Sequence, residues 1–112
     1  MKLPGGESAI VDREKLSEYC LNPDHPRGKH KARVFKAALG ITAENVDELR
    51  AALVAAAETR EARPTISDPF GERYLIDFEI KGPTGAHMVR SLWMVRHGDS
   101  APRLTSCYVK QR

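Results

Sequence analysis

ERYLIDFEIK, residues 72–81, alternates. Tyr74, Ile76, Phe78 and Ile80 fall on one side of an extended chain, and Arg73, Asp77 and Glu79 on the other. Successive side chains of a strand point to opposite faces, so this is the period of a strand with one face in a core and one in water. A helix would scatter the same four apolar residues around its axis. The chain downstream repeats the pattern. KGPTGA makes a turn, and a strand follows from about His87 to Arg96. There Leu92-Trp93-Met94-Val95 is apolar on both faces, as a central strand requires. HGDSAP is the next turn and RLTSCYVK the last strand, while a weaker strand near Arg63–Asp68 precedes PFGE.

Upstream the period becomes helical. Asp12 is placed to cap a helix running to Tyr19 or Leu21 that buries Leu16, Tyr19 and Cys20. Asn22-Pro23 and His25-Pro26 then force a turn, because a residue before proline avoids the helical region. A second helix is expected from Gly28 or Lys29 to Leu39, with Gly40 as its stop. A third begins at Thr42 or Asn45. Asn45 with Glu48 resembles a capping box, and Val46, Leu49, Leu53 and Ala56 share one face. The expected fold class is α+β: about three N-terminal helices packed on a C-terminal antiparallel meander of about four strands. The 112 residues make one domain, residues 1–112, and no internal repeat is visible.

With 41% hydrophobic residues the chain can bury a core, and 29% charged residues keep its surface wet. No apolar run approaches the length of about 18 residues that spans a membrane, so no membrane partner is expected. The start, MKLPGGESAIVDREK, lacks the apolar core of a signal peptide. A cytoplasmic location is the simplest expectation, although a module cut from a longer secreted protein would look the same. Cys20 and Cys107 have no CxxC spacing and no histidine pattern beside them. A disulfide between them is uncommon in the cytosol, so both are read as packed thiols. Walker, GxGxxG and HExxH motifs are missing, as is an acidic cluster for magnesium. Neither a metal nor a cofactor is expected.

The charge is distributed unevenly around a net +3. LNPDHPRGKHKARVF, residues 21–35, opens as a polar turn and ends as an apolar helix. From His25 to Lys36 it carries five Lys or Arg, two His and no acid. A second basic cluster comprises Arg90, Arg96, Arg103, Lys110 and Arg112, against Asp99 alone, while acids gather at Glu44, Asp47, Glu48, Glu58 and Glu61. The asymmetry suits a polyanion such as nucleic acid; ordinary surface charge is the bland alternative. On a helical wheel Lys29, Arg33 and Lys36 form a stripe opposite the apolar arc of Ala32, Val34, Phe35, Ala38 and Leu39. Arg27, Lys29, His30, Arg33, Lys36 and Arg90 are the candidate nucleic-acid contacts.

Lys31 breaks the wheel, because it points into the middle of the apolar arc. A lysine there must snorkel, pair, or reach a polar cleft where a phosphate would sit. His25 lies in the turn just before the helix. It is either hydrogen-bonded locally or a proton carrier near neutral pH. Gly28 beside it would let a backbone come close. In the last strand an ideal alternation puts Arg103, Thr105 and Cys107 on one face and Leu104, Ser106 and Tyr108 on the other. Arg90 and Ser91 place polar groups on opposite faces of the central strand.

The pattern LNPxHPxGxxKAxxF (Leu21 to Phe35), a later LW-V strand and a PRLxxxY ending resemble the bacterial family called domain of unknown function 6883. The resemblance covers most of the chain. It implies a toxin component that stands beside a small antitoxin or immunity protein, or at the tip of a polymorphic toxin. It also implies an architecture similar to the metal-independent ribonuclease toxins of the barnase, EndoU, colicin and RelE type. The matching residues are His25, Gly28, Lys31, Phe35, Arg103 and Tyr108.

The function expected from residues and resemblance together is a metal-independent endoribonuclease toxin of a toxin–antitoxin or polymorphic-toxin system, with RNA as its partner. RNA supplies its own nucleophile, the 2′-hydroxyl. The protein then needs a base, an acid and cations for the phosphorane. His25 is the candidate acid or base, Lys31 with Arg90 or Arg103 the charge stabiliser, and Tyr108, or else His30, the second proton carrier or a stacking platform. The alternative is a non-catalytic module that binds nucleic acid or an acidic partner; a scaffold whose charges only solvate it is a third reading.

Overall fold

The structure, a computed structural model, describes residues 1–110; Arg112, assigned above to the second basic cluster, lies outside them. The helices are α1 (Arg13–Lys15), α2 (Lys29–Val34) and α3 (Val46–Thr59), and the strands β1 (Arg63–Pro64), β2 (Gly71–Gly82), β3 (Gly85–Arg96) and β4 (Arg103–Val109). The strands form one antiparallel sheet in the order β1-β2-β3-β4. The fold is α+β, with three helices followed by a four-stranded meander. Two features were not legible beforehand. α1 widens into a π-type turn at Leu16–Cys20, and α2 does the same at Phe35–Leu39. Such widened turns are rare and recur at functional sites. The N-terminal segment also joins the fold. Ile10 bridges Arg103 on the outer edge of β4, and Lys2 bridges Glu61.

One face of the sheet carries the core. Ile76 and Phe78 of β2, Val89 and Trp93 of β3, and Leu104, Cys107 and Val109 of β4 pack against Leu16, Phe35, Leu39, Leu49 and Leu53 from the helical side. Trp93 and Phe35 are closed to water, and burying a large side chain of this kind contributes roughly 1.5–3 kcal/mol. Val34 and Ala38 pack more loosely at the margin of the same core. Ser91 satisfies the one polar demand that Trp93 makes there: its hydroxyl accepts from Trp93 Nε1 and donates to the carbonyl of Ile76, both at 2.9 Å. It braces the core and lines no cleft.

Several local expectations are corrected. The weak first strand is only two residues long, and Asp68 returns to the sheet as a single bridge to Gly71. Asp12 precedes α1 but caps it with no side-chain bond; its carboxylate pairs with Arg103 at 3.1 Å. The capping box before α3 is Thr42 with Asn45, not Asn45 with Glu48. Thr42 Oγ1 accepts from the Glu44 amide, and Asn45 Oδ1 accepts from the Thr42 amide. The alternation expected in β4 is broken by a bulge: Leu92 pairs with Ser106, but Trp93 pairs with Leu104, so Thr105 is the extra residue. Leu104 and Cys107 therefore both face the core. Arg103 and Tyr108, opposite Met94 and Arg90, both face the open side of the sheet.

Candidate functional site

The site grows from the junction of α1 and α2. The turn from Asn22 to Gly28 folds α2 back onto the π-type turn. At Gly28 the helix comes so near that an added Cβ would fall inside contact distance of the Tyr19 carbonyl oxygen and 2.8 Å from its carbon. The close backbone approach expected at Gly28 is thus internal. It presses the start of α2 against Tyr19.

His25 sits over this junction, half-buried. Its Nδ1 accepts from the backbone N–H of Arg27 and of Gly28, each at 3.0 Å. Two donors aimed at Nδ1 place the proton of the neutral ring on Nε2. His25 is therefore both a local cap and an outward hydrogen-bond donor. Its ring meets Tyr19 edge-on, with centroids 4.8 Å apart. Lys31 also engages Tyr19, its Nζ 4.6 Å from the ring centroid. Its stem is half-buried among the apolar residues of α2, and its Nζ donates to Tyr19 Oη at 2.7 Å. Of the outcomes open to a lysine on the apolar arc, it pairs, with a tyrosine hydroxyl. No carboxylate lies within ion-pair distance of it among the described residues.

Tyr108 closes the group from β4, its ring 6.0 Å from Lys31 Nζ. It stands opposite Arg90 across the β3–β4 pair, and Arg90 is clamped by Asp77: Nε donates to Oδ1 at 2.8 Å and Nη2 to Oδ2 at 2.9 Å. Arg90 holds the Asp77 carboxyl below the usual carboxylate range, and Lys110 adds to the effect. Arg103 stands apart, paired with Asp12. His25, Tyr19, Lys31, Tyr108 and Arg90 thus form a continuous path around the free edge of β4. Tyr19 is the member that sequence reasoning took for a core residue. Its polar tip beside an apolar ring was the available signal.

Beside this path lies an open cleft lined by Asp12, Arg13, Glu14, Lys15, Glu18, Tyr19, His25, Arg27 and Thr105. Its acids and bases balance. The stripe is different. Lys29, Arg33 and Lys36 are exposed and have no acid partner among the described residues, and they line a groove with Pro23, Thr42 and Glu44. The stripe and Lys31 occupy opposite faces of α2. Arg27, just before the helix, is exposed and lines the cleft with His25. His30 is exposed and takes no part in the path. No group of three or more His, Cys, Asp or Glu gathers as for a metal among the described residues, and no helix there is long and apolar enough to cross a membrane.

No curated protein matches the chain in sequence. In structure it is similar to a chain of the contact-dependent growth inhibition toxin–immunity protein complex from Klebsiella pneumoniae 342. The TM-score is 0.67 at 18% identity, covering 91% of this chain and all of that one. At that identity the likeness concerns the fold. The family model for the domain of unknown function DUF6883 matches residues 2–111. The helices, the LNPDHPRGKHKARVF segment and the sheet all lie within that match, and the chain belongs to this family.

Proposed function

We propose that the chain is a toxin domain that cleaves RNA through the 2′-hydroxyl, without a metal, at the His25–Tyr19–Lys31–Tyr108 path. The observation that carries the reading is the joint engagement of Tyr19 by His25 and Lys31. It gathers an imidazole and an ammonium group around one tyrosine. The 2′-oxygen attacks the adjacent phosphorus while its proton passes to a carboxylate, for which Glu18, lining the same cleft as His25, is the fitting acceptor. Lys31 stabilises the charge gathering on the non-bridging oxygens. His25 Nε2–H donates a hydrogen bond to the departing 5′-oxygen, which takes its proton from water. The products are a 2′,3′-cyclic phosphate and a 5′-hydroxyl. Tyr108 offers a stacking face at the edge, and Arg103, held by Asp12, orders the cleft wall and leaves the phosphate to Lys31. Arg27, Lys29, Arg33 and Lys36 guide the strand across the end of α2.

The fold shared with a chain from a toxin–immunity complex supports a toxin role and an immunity protein as partner. RNA as substrate places the action in the cytoplasm. The test is direct: purified protein is incubated with a labelled single-stranded RNA in excess EDTA, and the product ends are identified. Cyclic-phosphate ends support the reading; intact RNA removes it. A second reading, a non-catalytic module that binds a polyanion through the stripe, is favoured by the balanced charge of the cleft against the unpaired cations of the stripe. It predicts RNA binding with no cleavage.

A further inference from the structure

The sheet has a long uncovered edge on the side of β1. β2 is 12 residues long, and its pairing with β3 runs unbroken from Gly71, opposite Arg96, to Gly82, opposite Gly85. On its other side β1 covers only Tyr74 and Leu75. The Thr65 N–H donates to the Arg73 carbonyl at 2.8 Å, so Arg73 turns its main-chain groups away from β3. These groups alternate sides along a strand, and Asp77, Glu79 and Lys81 therefore turn theirs the same way. Among the described residues no main-chain hydrogen bond reaches them on that side. A row of unpaired N–H and C=O groups is a template for another strand.

The side chains say which strand. An edge guarded by charges of one sign repels a second copy in every register. Here Glu79 and Lys81 are exposed, opposite in sign, and without an ion-pair partner among the described residues. Ile80 between them is half-buried at the margin of the core. We propose that this edge of β2 pairs antiparallel with the same edge of a second copy, about a two-fold axis at Ile80. That register sets Glu79 opposite the partner's Lys81, twice over, and Ile80 against the partner's Ile80. Directly opposed side chains lie about 4.5–5.5 Å apart at Cβ, which allows ion pairs on the open face and an apolar contact on the core face. Glu79 and Lys81 exchange about four main-chain hydrogen bonds across the axis. The ladder stops where Asp77 meets the partner's Pro83, which has no N–H to give. Moving the axis to Glu79 would set that carboxylate against itself. About five residues a side make a small interface, so the dimer forms reversibly and grows with concentration. The His25–Tyr19–Lys31 path lies at the opposite edge of the sheet, beside β4, and stays open.

The test needs only the chain itself and does not depend on RNA cleavage. Sedimentation equilibrium over a concentration series should show a monomer–dimer equilibrium for the wild type. Glu79→Lys and Lys81→Glu each turn two attractions into two repulsions and should weaken the dimer roughly tenfold or more. The double variant restores both pairs in the reversed sense and should regain wild-type association. Both side chains are exposed, and Trp93 fluorescence checks that each variant is folded. In the wild type, hydrogen exchange of the Glu79 and Lys81 amides should slow as concentration rises. A wild type that stays monomeric, single variants that associate as well as it does, a double variant that does not recover, or exchange at Glu79 and Lys81 independent of concentration would each overturn the proposal.

Discussion

Replacing Gly28 with alanine sets two effects of opposite sign against each other. Gly28 has φ −87° and ψ −14°, a conformation alanine adopts without strain. By restricting the unfolded chain, alanine alone would stabilise the protein by about 0.4–1 kcal/mol. The new Cβ, however, would overlap the Tyr19 carbonyl oxygen and lie 2.8 Å from its carbon, where carbon pairs rest at about 3.5–4 Å. These are backbone atoms, so no rotamer relieves the clash and α2 must retreat by about an ångström. Overpacking of this kind costs about 1–3 kcal/mol, leaving a net loss of about 1–2 kcal/mol. In a domain of this size each kcal/mol moves Tm by about 4–8 °C, so Tm should fall by roughly 5–15 °C. The retreat also draws His25 and Lys31 away from Tyr19. Thermal unfolding followed by circular dichroism measures it. A Tm equal to or above that of the wild type would refute the close docking of α2 on the π-type turn.

Other consequences can be measured separately. Changing Lys29, Arg33 and Lys36 together to Gln should lower the salt slope of single-stranded RNA affinity by about two; an unchanged slope would take the stripe out of the RNA surface. Tyr19→Phe keeps the ring but removes the acceptor for Lys31. It should leave stability within about 1.5 kcal/mol and reduce RNA cleavage by about tenfold, through kcat rather than KM. Asp77, held low by Arg90, stabilises the fold above the ordinary carboxylate pKa of about 4, and that contribution is lost as pH falls through its lowered folded value. Urea midpoints of Asp77→Asn should therefore lie below wild type at neutral pH and converge with it in acid. A gap that persists in acid would assign the role of Asp77 to packing.

The strands were legible because alternation is a local signal with one cause. Tyr74, Ile76, Phe78 and Ile80 share a face whatever surrounds them. The helix from Lys29 to Leu39 and its stop at Gly40 were readable for the same reason. What escaped was long-range. The bulge at Thr105 depends on how β4 meets β3, and no residue in RLTSCYVK announces it. Asp12 reads as a cap until Arg103 arrives from the far end of the chain. Lys31 was conspicuous because an ammonium group on an apolar arc must find a partner. The partner, Tyr19, could not be named, because the π-type turn that aims it has no sequence signature. His25 carried two readings, cap and proton carrier. Its Nδ1 serves the first, which narrows the second to hydrogen-bond donation from Nε2.

That division of the imidazole allows the most direct measurement. His25→Asn supplies an oxygen that can accept from the Arg27 and Gly28 amides, as asparagine does at helix starts, but it has no imidazole Nε2–H to hydrogen-bond a leaving group. Cleavage of single-stranded RNA in EDTA, measured beside Tm, separates the two duties. The account predicts a Tm close to wild type and a loss of cleavage of roughly a hundredfold or more. Cleavage within a few-fold of wild type in a folded His25→Asn protein would contradict it.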